Sequence, residues 1–194
     1  MTTTVKRWTS ADLEALPDDG NRYEIIDGEL YVSTQPHWRH QRVCARATTL
    51  LELWSDDSGN GMVLVSPGLI CADDDDVAPD VVWISNAQLA TALWADGKLH
   101  ASPELVIEVL SPGAANERRD REIKLNLYSR RGASEYWIID WRRRQVEVYR
   151  QHEEELRLIG TLSESDVLDT PLLQGFSCSV ADLFKGIPKE QPGE

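Results

Sequence analysis

The stretch PELVIEVLSPGAANERRDREIKLNLY, residues 103–128, decides how the rest of the chain is read. Its first part, 104–110, is a short run of β-branched and leucine residues, the composition of a strand buried on both faces of a sheet. Glu108 stands in the middle of that run. An ionised carboxylate there is costly unless a cation or a metal accompanies it. Ser111, Pro112 and Gly113 then turn the chain into a charged segment in which Asp120, Lys124 and Tyr128 recur every fourth residue, so that all three share one face of a helix. A strand, turn and helix of these lengths fold the helix back over its own strand, which makes Lys124 the natural candidate to approach Glu108.

Outward from this unit the chain alternates between helix and strand signals. Residues 8–16, WTSADLEAL, carry a Ser/Thr cap and an acidic first turn and predict a short peripheral helix. Residues 22–33, RYEIIDGELYVS, form two apolar strands around Asp27-Gly28 and predict a β-hairpin lying outside the core. After Pro36, residues Val43, Ala47, Leu50, Leu51 and Trp54 fall at helical spacing and predict an amphipathic helix over 37–54. Residues 62–72 read as a strand interrupted at Pro67-Gly68, and 77–84, VAPDVVWI, as a strand with Asp80 just inside it. The four aspartates between them lack the alternating ligands, central Gly and distal Glu of a calcium loop, and read as a solvated turn. A short helix over 88–94 follows. The charged helix over 117–131 ends at Gly132, and 135–141 and 145–150 read as two strands joined by Arg142, Arg143 and Arg144. The remainder offers one strand, a loop and a short terminal helix. The fold class is therefore α/β, a mixed sheet with flanking helices, with one domain over 1–184 and a flexible C-terminal tail over 185–194.

Composition narrows the function. With 41% hydrophobic and 27% charged residues the 194-residue chain is that of an ordinary globular protein, and no apolar run approaches bilayer length. The opening MTTTVKRWTS has no apolar leader, which predicts a cytoplasmic location and no membrane partner. Cys44, Cys71 and Cys178 are odd in number and widely spaced, against both a disulfide framework and a metal knuckle. Acids exceed bases by 33 to 20, a net charge of −13, so any contact with nucleic acid must be local. Arg118, Arg119, Arg121, Lys124, Arg130, Arg131 and the 142–144 arginines could supply it, or could equally be solvated positions balanced by Glu117, Asp120 and Glu122. There is no GxSxG elbow and no evident Cys–His partnership for acyl transfer. Trp38, Trp94 and Trp141 near loop positions point to a homodimer, core packing being the alternative.

Asp80 and Glu108 are each a lone acid in an apolar strand. On adjacent strands they would repel unless a divalent cation lay between them, and hard oxygen ligands suit Mg²⁺ or Mn²⁺. The carbonyl of Val109 is a further candidate ligand. Lys124 would orient a water or stabilise charge on a phosphate, the layout of a metal-dependent phosphodiesterase.

These residues resemble the PD-(D/E)xK nuclease superfamily: Pro79-Asp80, then Glu108 in an apolar strand, then a lysine. The superfamily places its lysine two residues after the glutamate, where this chain has Leu110. The wider text, YEIIDGELYVS, RHQRV, APDVVWIS, PELVIEVLSPG, RDREIKLNLY, SEYWIID and VEVYR in that order, is similar to the Uma2 (DUF820) branch, a restriction-endonuclease-like group. The resemblance implies a restriction-endonuclease-like core, an endonuclease acting on DNA, Asp80 and Glu108 as metal ligands, and a catalytic lysine moved to the following helix as Lys124. His40 matches a position that related nucleases use in the metal shell, and it reads equally as a helix cap or surface contact. Glu29 and Tyr128 are weaker candidates: Glu29 could simply face solvent, and Tyr128 could only close the helix onto the core. The rival reading is a catalytically silent nuclease-fold protein in which Lys124 and Glu108 form a structural ion pair.

Overall fold

The computed structural model describes residues 6–189. The chain starts with α1 (Ser10–Leu13), held at its entry by the Asp12 carboxylate accepting the Thr9 amide at 2.9 Å. The hairpin follows as β1 (Arg22–Ile26) and β2 (Glu29–Ser33), turning at Asp27 and Gly28, both with positive φ. Helix α2 (Trp38–Ser58) starts from His37, whose ring accepts the Arg39 amide, and stops at Gly59 in the left-handed conformation. Then come β3 (Gly61–Val65), β4 (Leu69–Ala72), β5 (Asp75–Val77), β6 (Val81–Ser85), α3 (Asn86–Ala92) and β7 (Leu105–Val109). The charged helix is α4 (Ala114–Arg118), a π-helical stretch over Arg119–Lys124, and α5 (Leu125–Arg130). Strands β8 (Glu135–Asp140), β9 (Gln145–His152), β10 (Glu155–Ser163), β11 (Val167–Asp169), β12 (Ser177–Ser179) and helix α6 (Val180–Leu183) complete it.

The main sheet has six strands in the order β10-β9-β8-β7-β6-β3, with β7 and β8 parallel and the other neighbours antiparallel. The parallel pair is the one bridged by the charged helix, as a crossover requires. Strands β7 and β8 are buried at every residue, so each face carries a core. One core packs Val43, Ala47 and Leu51 of α2 with Ile107, Trp137 and Phe184. The other packs Ile26 of the hairpin with Val106, Leu127, Tyr128 and Ile138. Alternation along β7 therefore sends Leu105, Ile107 and Val109 to the α2 side, and Val106 and Glu108 to the side of the charged helix.

A second sheet, β2-β1-β5-β4, corrects several expectations. The segments read as single strands over 62–72 and 77–84 each divide at a proline, giving one half to each sheet, because Pro67 and Pro79 cannot continue a ladder. The hairpin is not outside the core: β1 pairs with β5, and Glu24, Ile25 and Ile26 are buried. The aspartate run is not simply a solvated turn, for Asp75 and Asp76 are buried in β5. What compensates Asp75 is distant in sequence: its carboxylate takes the Asp27 amide at 2.9 Å, Arg130 at 2.7 Å and Arg131. Trp141 is buried, its indole N–H bonded to the Leu110 carbonyl, which removes it from the set of exposed tryptophans that suggested a dimer. The packed chain also runs past 185: Ile187 is buried, Arg42 bonds the Lys185 carbonyl and Arg144 the Ile187 carbonyl. Of the expected tail, 190–194 lies outside the described residues. Among the described residues no helix is long and apolar enough to cross a membrane.

Asp75 ties the small sheet to the C-terminal end of the charged helix, and its two arginines keep partial access to water. Asp75→Ala should lower stability by about 1–3 kcal/mol, below the full penalty of breaking a buried ion pair because of that access. Urea denaturation measures it; an unchanged midpoint would show the tie to be dispensable.

Candidate active site

The site lies where β6 and β7 come to the end of their pairing. Their register closes at Val81↔Ile107, and one step further along it Asp80 stands opposite Glu108. There the ladder gives way to a side chain: the Val109 amide donates to Asp80 Oδ2 at 2.8 Å. A main-chain donor thus fixes the carboxylate that Pro79 introduces into the strand. The other oxygen, Oδ1, has Arg22 Nη1 at 3.3 Å and His40 Nε2 at 3.4 Å. Burial alone would push the Asp80 carboxyl up, but the His40 imidazole, the Lys124 ammonium and the Val109 amide together hold it well below the usual carboxylate range.

Glu108 is met from the charged helix. Lys124 Nζ approaches Glu108 Oε1 at 2.9 Å, and the Tyr128 hydroxyl donates to the same oxygen at 2.7 Å. Among the described residues no hydrogen bond reaches Glu108 Oε2, so the donors from the helix hold one oxygen and leave the other. Lys124 closes a π-helical stretch of that helix, Arg119–Lys124. Such turns are frequent where a helix must aim a functional side chain. Burial pushes the Glu108 carboxyl up to about 8, Asp80, Asp120 and Glu24 adding to the shift and Lys124 opposing it.

Lys124 has a second partner that the sequence reading missed. Glu24 of β1 accepts its ammonium at 2.9 Å and the Ala78 amide at 3.0 Å, and Lys124 is only 1% exposed. Burial disfavours the ammonium, yet Glu108, Glu24 and Asp120 outweigh it and keep Lys124 charged well beyond neutral pH. The signal for Glu24 was present: it is a lone acid among apolar residues in RYEII, the same pattern that singled out Asp80 and Glu108. Glu29, chosen instead from that hairpin, is exposed and bonded by the Tyr31 hydroxyl, so the fold does not bring it to the site. Asp120 is buried beside Arg119 at 3.4 Å.

These groups meet at a cleft of about 560 Å³ lined by Arg22, His40, Asp80, Glu108, Arg119 and Lys124. Four carboxylates, Glu24, Asp80, Glu108 and Asp120, face three permanent cations, Arg22, Arg119 and Lys124. Hard oxygen donors, one of them with an unbonded oxygen, fit a divalent cation held by Asp80 and Glu108, whose binding would displace the proton that burial favours on Glu108. His40, Tyr128 and Val109 thus all contact one of the two acids, while Glu29 does not.

A mixed sheet with paired acids at the ends of its central strands and a lysine over them defines the class: a nuclease-like fold. The chain belongs to the Uma2 family, whose model, described as "Putative restriction endonuclease", matches residues 10–181. Among solved structures it is similar to a crystal structure described as a putative nuclease belonging to DUF820 from Anabaena variabilis. That likeness has a TM-score of 0.72 at 17% identity and covers 91% of this chain and 97% of the other. No curated protein matches it.

The Glu24–Lys124 contact generates a double-mutant prediction. Glu24→Gln should cost about 2–4 kcal/mol, since it removes one of the two carboxylates around a buried ammonium. In a cycle with Lys124→Met, urea denaturation should give a coupling of about 1–3 kcal/mol. Additive effects would mean that Glu24 does not hold the lysine.

Proposed function

We propose that this protein is a divalent-metal-dependent endonuclease that hydrolyses DNA phosphodiester bonds at the cleft above β6 and β7. The observation that carries the reading is the meeting of Asp80, Glu108 and Lys124, from three separate elements, at the floor of one open cleft with an excess of carboxylates. Asp80 and Glu108 would hold Mg²⁺ or Mn²⁺, with the Val109 main chain beside them; when bound, the cation would polarise the phosphate and acidify a water.

The chain's own residues prepare the rest. The Val109 amide and His40 orient Asp80. Tyr128 fixes one oxygen of Glu108, so its second oxygen has a defined direction. Lys124 presents a preorganised positive charge at the point where charge builds up on the transferring phosphate, and Glu24 keeps that ammonium in place. Arg22 and Arg119 line the cleft and suit a polyanionic backbone. Leu110 stands where the superfamily's lysine would be, and Lys124 replaces it from the helix side.

One observation favours the rival, a catalytically silent nuclease-fold binding protein: Lys124 is almost wholly enclosed by its two carboxylates, as a purely structural pair would be. Lys124→Met separates the two. It keeps bulk and removes charge, and should lower Mg²⁺- or Mn²⁺-dependent DNA cleavage by ~10²-fold or more, the scale for one lost charge-stabilising group. Lys124→Arg should restore little, because a planar fork does not replace a point charge in a tight site. Cleavage that is unchanged by Lys124→Met would reject the role given to the lysine, and a wild-type chain that cleaves no DNA with either cation would favour the silent reading.

A further inference from the structure

A second set of donors sits against Asp80 on the side facing α2. His40 and Cys44 are one helical turn apart on that helix, and a ligand atom of each lies within 4.8 Å of the other and of an Asp80 oxygen. All three residues are buried. An imidazole, a thiol and a carboxylate form a donor set unlike that of Asp80 and Glu108: sulfur and nitrogen select Zn²⁺ and similar thiophilic ions over Mg²⁺.

Asp80 is already bonded by the Val109 amide and Arg22, whereas the two donors on α2 are held more loosely. His40 Nε2 lies 3.4 Å from Asp80 Oδ1, long for a charge-assisted hydrogen bond. It matches the separation of roughly 3.4–3.6 Å that two ligands adopt on one tetrahedral ion. The other ring nitrogen, Nδ1, is buried with no hydrogen-bond partner among the described residues, so no bond on that side locks the ring against turning toward an ion. Cys44 is a free thiol, and no hydrogen bond to its sulfur competes among the described residues. His40 and Asp80 also line the cleft, which offers an ion a route in and a water for a fourth position.

We infer that His40, Cys44 and Asp80 form a three-residue site for a thiophilic transition-metal ion, Zn²⁺ being the physiological type. Binding converts the Cys44 thiol to a metal-bound thiolate and releases its proton to solvent. The site does not require the nuclease reading. If that reading holds, the two sites share Asp80, so an ion held by His40 and Cys44 withdraws this carboxylate from the pair with Glu108, and thiophilic ions inhibit rather than support cleavage.

Co²⁺ added to the full-length reduced chain tests the site without any assay of activity. A near-ultraviolet thiolate-to-cobalt charge-transfer band should appear with one equivalent, together with the intense visible bands of tetrahedral cobalt, and Zn²⁺ should bleach both. Cys44→Ser should abolish the charge-transfer band and weaken Co²⁺ binding by roughly 100-fold or more. A chain with Cys71→Ser and Cys178→Ser together retains Cys44 as its only cysteine and should keep the band, which decides the matter even if Cys44→Ser fails to fold. Absence of the band from wild type, its survival in Cys44→Ser, or its loss in the Cys71→Ser and Cys178→Ser chain as a folded protein would overturn the proposal.

Discussion

A lysine ammonium almost wholly sealed from water organises this structure. An isolated charge of that kind is too costly to bury, and the fold exists in its present form because two glutamates reach it, Glu24 from the hairpin and Glu108 from the central strand. Each partner then brings its own supports. Glu24 also takes the Ala78 amide and so fixes the short link between the two sheets, while Glu108 takes the Tyr128 hydroxyl one helical turn beyond the lysine. Removing the lysine would leave two buried glutamates without their cation, and removing either glutamate would take one of the ammonium's two partners, which ties the hairpin, the link through Ala78 and the charged helix together.

The negative charge of the chain takes on a particular meaning in this light. The arginines that could have formed a basic face are largely occupied inside the fold: Arg130 and Arg131 with Asp75, Arg121 with Glu117 and Glu147, Arg142 with Glu117. They brace the helix and the β8–β9 turn against acidic strands. At the cleft Arg22 and Arg119 stand beside the lysine, each paired in turn with an acid, Asp80 and Asp120. An acidic protein of this design would gain little from diffuse electrostatic attraction and would depend on contacts at the site itself, with a correspondingly shallow dependence on salt.

Much of this could be read from the residues. Continuous apolar runs announced the two central strands, and the acids within them stood out because nothing else in those runs was polar. The fourfold spacing of Lys124 and Tyr128 put both over Glu108, and both touch the same oxygen. The remainder rests on pairings that local pattern does not encode. Asp75 looks like any solvated aspartate until Arg130 and Arg131 arrive 55 and 56 residues later. Glu24 stands out in RYEII, yet nothing local shows that β1 joins β5 and buries it beside Lys124. The prolines at 67 and 79 read as interruptions, whereas they are the places where the chain changes sheet. The π-helical stretch carries no glycine or proline to announce it.

The bond between Glu24 and Lys124 joins residues 100 positions apart. As the chain is made from its N-terminus, the glutamate waits through the synthesis of α2, both sheet-changing prolines and the whole central strand before its counter-ion exists. A nascent chain therefore holds an acidic hairpin with no partner, and the cleft closes around its charges only once the helix has docked. Assembly of the site thus waits on a contact of long sequence separation, whose chain entropy must be paid before the contact can reward it.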